Sequence, residues 1–99
     1  MVVSDGFNEQ SVIGWGNRGW VEIIGMILAI CENGALKTHV MYRCNLNTKQ
    51  MDQYLQFLQA QRLIEIKSEG QYAKRPLYLT TSLGHKYVHA YKQIEKLFK

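Results

Sequence analysis

The chain has 99 residues, 46% of them hydrophobic, and a formal net charge of +4. That supplies apolar material for one packed core and excludes a second domain of similar size. The charge is uneven, net −3 over residues 1–36 and net +7 over residues 37–99, so a localised basic face belongs to the second block; it fits a nucleic acid first, an anionic membrane second, and equally an ordinary solubilising surface.

The opening Met1-Val2-Val3-Ser4-Asp5-Gly6 lacks the basic region and apolar run of a signal peptide. The longest apolar stretch, Trp20 to Cys31, is too short to span a bilayer and contains Glu22. The expectation is a cytoplasmic protein with no membrane partner. Gly6, Gly14, Gly16 and Asn17 break any helical pattern, so residues 1–18 read as an irregular arm ahead of one domain over 19–99. In that arm Val12, Ile13 and Trp15 suit a short strand or docking on the body.

A first helix is predicted from about Arg18 to Asn33. Trp20, Ile23, Ile24, Ile27, Leu28 and Cys31 follow one helical face, and Val21, Met26 and Ile30 add apolar surface outside it. Such a helix needs partners on more than one side. Asn33-Gly34 stops it. A second, short helix runs from about Lys37 to Arg43, with Val40 and Met41 inward and Tyr42 as a further core candidate. Cys44-Asn45-Leu46 is a tight connection, and Asn47 or Thr48 caps the third helix. That helix runs to about Gln61 on the stripe Met51, Tyr54, Leu55 and Leu58. The second and third helices form a helix-turn-helix.

The period then changes. Leu63 to Lys67 alternates as a strand, Gly70 turns the chain, and Leu77 to Thr80 returns it. Pro76 stands at the start of the second strand, where its missing N–H is tolerable. The result is a hairpin with a tip of six or seven residues that carries Tyr72, Lys74 and Arg75. The last helix starts at a Thr81 or Ser82 cap and runs to about Phe98. Leu83, Tyr87, Tyr91, Ile94 and Phe98 are spaced four, four, three and four, close to a coiled-coil period. That seam suits a dimer interface, packing on the first helix, or both from two sides. The fold class is α+β, mainly α: a three-helix core, a two-stranded β-hairpin wing and a C-terminal helix.

The run Lys37-Thr38-His39-Val40-Met41-Tyr42-Arg43-Cys44-Asn45-Leu46-Asn47 resembles the helix-turn-helix stretch of small archaeal winged-helix DNA-binding proteins. Leu63-Ile64 resembles that family's entry to the wing. Leu79-Thr80-Thr81-Ser82-Leu83-Gly84 is similar to its entry to the last helix, with one extra residue. The resemblance covers roughly residues 20–95. It implies binding of double-stranded DNA by a homodimer joined through the C-terminal helices, with transcriptional regulation as its role.

The residues carry chemistry that suits such a role. Asn47, Thr48, Lys49, Gln50 and Gln53 open the third helix, where a recognition helix meets base edges. Gln and Asn pair with adenine, and Lys with guanine acceptors. Lys37, Thr38, His39 and Arg43 are placed for flanking phosphates, which position the protein without reading sequence. Lys74 and Arg75 suit the backbone or minor groove beside the wing, with Tyr72 beneath them or on a sugar. Two other uses of the fold stay open: a protein–protein interaction module and a general chromatin-organising protein.

No G-x-x-x-x-G-K-[ST], no H-E-x-x-H and no paired acids on a helix face occur, so no enzyme is expected. No cofactor, metal or small-molecule ligand is evident. His85 and His89 share a face at i, i+4, with no third ligand placed beside them. Cys31 and Cys44 read as reduced structural thiols, although Cys44, in the turn before the recognition helix, is also positioned for a redox sensor.

Overall fold

The computed structural model describes residues 19–98. The expected arm over residues 1–18, with Val12, Ile13 and Trp15, lies outside them. Helix α1, Trp20–Ile30, buries Ile23, Ile24, Ile27 and Leu28 on the face its periodicity predicts. A 3-10 turn, Cys31–Asn33, extends it. Gly34 ends the turn at φ 92°, and a Cβ there would meet Leu77 Cδ2 at 2.8 Å. The positive φ favours glycine, and a Cβ would also have to displace the Leu77 side chain.

Strand β1, Ala35–Leu36, follows at once. It adds a third strand to the expected two-stranded hairpin, giving an antiparallel sheet of order β1-β3-β2. Helix α2, Lys37–Cys44, buries Val40 and Cys44. Tyr42 is 85% exposed, which overturns its core placement. It stands about 200° around the helix from Val40 at 100° per residue. Asn45, in the left-handed region at φ 55°, then reverses the chain, and Leu46 N–H closes the end on Met41 O at 2.9 Å.

Helix α3, Thr48–Ala60, buries Met51, Leu55 and Leu58. Strands β2, Ile64–Lys67, and β3, Leu77–Thr80, pair from Ile64 opposite Thr80 to Lys67 opposite Leu77. The connection, residues 68–76, is longer than expected because it holds a 3-10 turn, Gly70–Tyr72.

Helix α4, Ser82–Leu97, is capped by Thr81. The Thr81 hydroxyl accepts from Gly84 N–H at 3.0 Å and donates to Arg62 O at 2.7 Å. Its N–H donates to Leu63 O at 3.0 Å, so one residue fastens α4 to the exit of α3. The buried core is one cluster running from Ile23 and Ile24 of α1 through Val40, Met51, Leu58 and Ile64 to Val88 of α4. At its heart the Thr80 hydroxyl donates to Leu28 O at 2.6 Å, satisfying the only polar or charged residue among the buried, described ones. Helix α1 packs against α2, α4 and β3, the central position its apolar excess demanded. No described helix is long and apolar enough to cross a membrane.

Candidate nucleic-acid interface

The connection between α2 and α3 decides which side chains face outward. Asn47 is the N-cap of α3: its Oδ1 accepts from Gln50 N–H at 2.8 Å, and Gln50 Oε1 accepts from Asn47 N–H at 3.0 Å. This reciprocal capping box satisfies donors that a helix start otherwise leaves open. It also engages the two carbonyl oxygens that a bidentate adenine contact would use. Thr48, Lys49 and Gln53 are exposed beside them and carry no such bond within the cap. The face expected to read bases therefore divides into a pair that builds the helix start and a trio free of that duty.

Helix α2 lies across the same corner. Lys37 Nζ reaches Asp52 Oδ1 at 2.5 Å, joining the first residue of α2 to the first turns of α3. This hydrogen bond pushes the Lys37 ammonium above its ordinary pKa and keeps it charged. The pairing offsets the one acid of α3 at the cost of tying down a residue expected on phosphate. Thr38, His39 and Arg43 are exposed, and so is Tyr42 between them. Tyr42 is the residue the sequence reading missed; its position off the Val40–Cys44 stripe was the available signal. The N-cap of α2 is Leu36, which offers no side-chain acceptor. The first N–H groups of α2 are thus without a side-chain cap, next to Lys37 and Thr38, where a phosphate fits the helix dipole.

On the wing, Lys74 and Arg75 are exposed and Tyr72 is half-buried at the end of the 3-10 turn. The expected seam of α4 separates into two sides. Tyr87 and Tyr91 turn toward α1: the Tyr87 hydroxyl donates to Val21 O at 3.3 Å, and the Tyr91 ring lies over Gly25, where a Cβ would approach it to 2.8 Å. Burial raises the pKa of both phenols, that of Tyr91 to about 12 with help from the Glu95 and Glu22 carboxylates. Leu83, Ile94 and Phe98 instead face outward, 51%, 52% and 79% exposed, with Leu97 at 79% beside them.

The remaining candidates resolve simply. His85 Nδ1 pairs with Glu32 Oε2 at 3.0 Å, drawing it toward α1. Cys44 is the last residue of α2 and fully buried, as is Cys31. Burial first, and Cys44 second, push the Cys31 thiol up to about 12, which disfavours the reactive thiolate.

A family model described as winged helix-turn-helix matches residues 17–99. No curated protein matches significantly. Among solved structures the chain is similar to Sso10a-2, a DNA-binding protein from Sulfolobus solfataricus, at 29% identity and TM-score 0.71, covering 81% of each chain. It is also similar to MepR of Staphylococcus aureus in complex with DNA, at 19% identity and TM-score 0.66, over 75% of this chain and 63% of that one. A third likeness is to BpsR of Bordetella bronchiseptica, whose DNA binding is regulated by 6-hydroxynicotinic acid, at 10% identity and TM-score 0.66, over 81% of this chain and 61% of that one. The last two likenesses are of fold alone.

Proposed function

The chain belongs to the winged helix-turn-helix family, and on that premise we propose that it binds double-stranded DNA as a homodimer and regulates transcription. Helix α3 enters the major groove, α2 and the wing hold the flanking backbone, and α4 joins two copies. The likeness to the DNA-binding Sso10a-2 supports this reading. The observation that carries it is the α2–α3 corner. There Met51, Leu55 and Leu58 anchor α3 in the core while Thr48, Lys49 and Gln53 face outward, and the acid among them, Asp52, is paired to Lys37. An outward polar helix start, rigidly held and stripped of free negative charge, is what a groove lined by phosphates admits.

Arg43, Lys49, Lys74 and Arg75 are the exposed cations of this surface. Neutralising four phosphates per subunit gives a slope of log affinity against log salt of about −3.6. Fluorescence anisotropy on a random duplex, titrated from low to moderate salt, checks it. Affinity that does not change with salt, or no binding at low salt, removes the DNA reading. Charge removal at Lys74 and Arg75 together should weaken all duplexes alike and flatten the slope by about 2.

A further inference from the structure

An apolar groove runs between α1, α3 and α4. It opens as two adjoining hollows of about 360 and 460 Å³ that share Trp20, Ile24 and Phe57. Gln50 and Gln53 line one end, and Leu83 and Lys86 the other. Trp20, Phe57 and Leu83 are large apolar side chains left substantially exposed there. Adjacent apolar groups of this size on a surface mark a place where something docks. The lining includes one cation, Lys86, and no acid.

Trp20 is a wall of both hollows and also the first residue of α1. The chain that precedes α1 therefore enters at the groove itself. Gly19, the N-cap, is buried and extended, so that approach is made against the body of the protein. Just ahead of it the sequence carries Val12, Ile13 and Trp15. A chain spans at most about 3.6 Å per residue, which keeps Trp15 within about 18 Å of Trp20. Gly16 and Asn17 in between permit a reversal of direction. A segment tethered this closely meets its receptor at an effective concentration that is roughly millimolar, so even a weak apolar contact is filled by it before any dilute partner. The charges agree. Residues 1–17 hold two acids, Asp5 and Glu9, and no Lys or Arg, which suits a groove whose one charge is positive and opposes contact with DNA phosphate.

We propose that the groove is the receptor for Val12, Ile13 and Trp15 of the same chain, folded back from the start of α1 as a strap. Position carries this: the segment, its tether and the groove meet at Trp20. Trp15 supplies the large apolar surface that Trp20 and Phe57 lack as a partner across the groove. The strap has a consequence for α3. Gln53 lines the groove and is proposed to meet bases, so a docked segment bearing Asp5 and Glu9 brings negative charge beside the face meant for DNA and weakens binding. This consequence rests on the DNA reading, whereas the docking does not.

The chain has two tryptophans, so Trp20→Phe leaves Trp15 as the only indole and keeps the groove wall apolar. In that full-length variant Trp15 should emit to the blue of an indole in water and resist quenching by acrylamide, equally at all protein concentrations. Adding Phe57→Ser should shift the emission to the red and admit the quencher. Adding Val12→Ser/Ile13→Ser, which touches no residue of the core, should do the same. Trp15 emission and quenching like those of free indole overturn the strap. A protected Trp15 that ignores Phe57→Ser overturns the groove as its receptor, and protection that grows with protein concentration assigns the groove to a second copy. Without reference to fluorescence, Asp5→Asn/Glu9→Gln should tighten binding to a random duplex by at least about twofold at low salt, an effect that fades as salt screens it. Unchanged affinity in a chain whose Trp15 is protected overturns the inhibition alone; loss of all duplex binding at low salt would be failure of the DNA reading instead.

Discussion

Gly84 stands where α4 leaves the wing, and a Cβ there would collide with the Leu63 carbonyl oxygen and the Thr80 methyl. A backbone oxygen that already accepts the Thr81 N–H has nowhere to swing. Gly84→Ala must therefore push α4 off the α3 exit. The expected cost is about 1–3 kcal/mol, seen as a fall in thermal midpoint of roughly 4–8 °C per kcal/mol. A melt that superimposes on wild type would show that α4 is less tightly seated. At Gln50 and Gln53 two residues of one type separate by position. Gln50 Oε1 holds the Asn47 N–H, so Gln50→Ala should cost about 1 kcal/mol of stability and leave sequence preference little changed. Gln53→Ala should do the reverse, shifting discrimination between bases by about 1–3 kcal/mol. Thermal melts beside selection from random duplexes distinguish them, and equal effects of both changes would contradict the division.

At the scale of elements, the Lys37–Asp52 pair makes α2 and α3 one electrostatic unit. Asp52→Asn removes the only acid of α3 and releases Lys37 toward phosphate. Binding should tighten on every duplex and the salt slope steepen by about 1; unchanged affinity would mean that Lys37 does not face DNA. This pairing also shows how far the elements were legible beforehand. The stripes of α1 and α3 appear in the sequence because each helix buries one long face, and period is all that such burial requires. Strand β1 left no trace. Two residues have no period, and Ala35 and Leu36 are a strand only because Tyr78 and Leu77 come to them from β3. The seam of α4 was half visible for a related reason. Large apolar residues recur along it, but which of them turn inward depends on Gly25 in α1, whose missing Cβ admits the Tyr91 ring. A contact made by an absent atom gives no periodic signal. The capping duty of Gln50 was hidden too, since a polar residue at a helix start suits a cap and a groove equally well.

Across the described residues, α1 packs against α2, α4 and β3, and the groups at its two sides include three acids that resist ionisation. Cys31, at the end of α1, has its thiol pushed up to about 12 by burial and by Cys44. On the opposite side burial raises the phenols of Tyr87 and Tyr91, the latter to about 12. The unfolded chain loses these protons near the ordinary values, about 8.5 for a thiol and about 10 for a phenol. Between those values and the folded ones the native state holds more protons than the unfolded state, so stability falls as pH rises. Below about pH 8 all three groups are protonated in both states and contribute no pH dependence. Denaturant unfolding at intervals from pH 7 to pH 11 should therefore show a decline that begins near pH 8 and steepens as pH approaches 10. Cys31→Ala should flatten the first part, where the thiol acts, and leave the second, where the phenols act. At pH 8 both thiols of the native protein should resist alkylation and react only on unfolding, because the burial that stabilises the core also blocks the reagent. Rapid labelling of Cys44 in the folded protein would reopen the redox role that its position before α3 first suggested, and stability that stays level to pH 11 would show that α1 is far more hydrated than its packing implies.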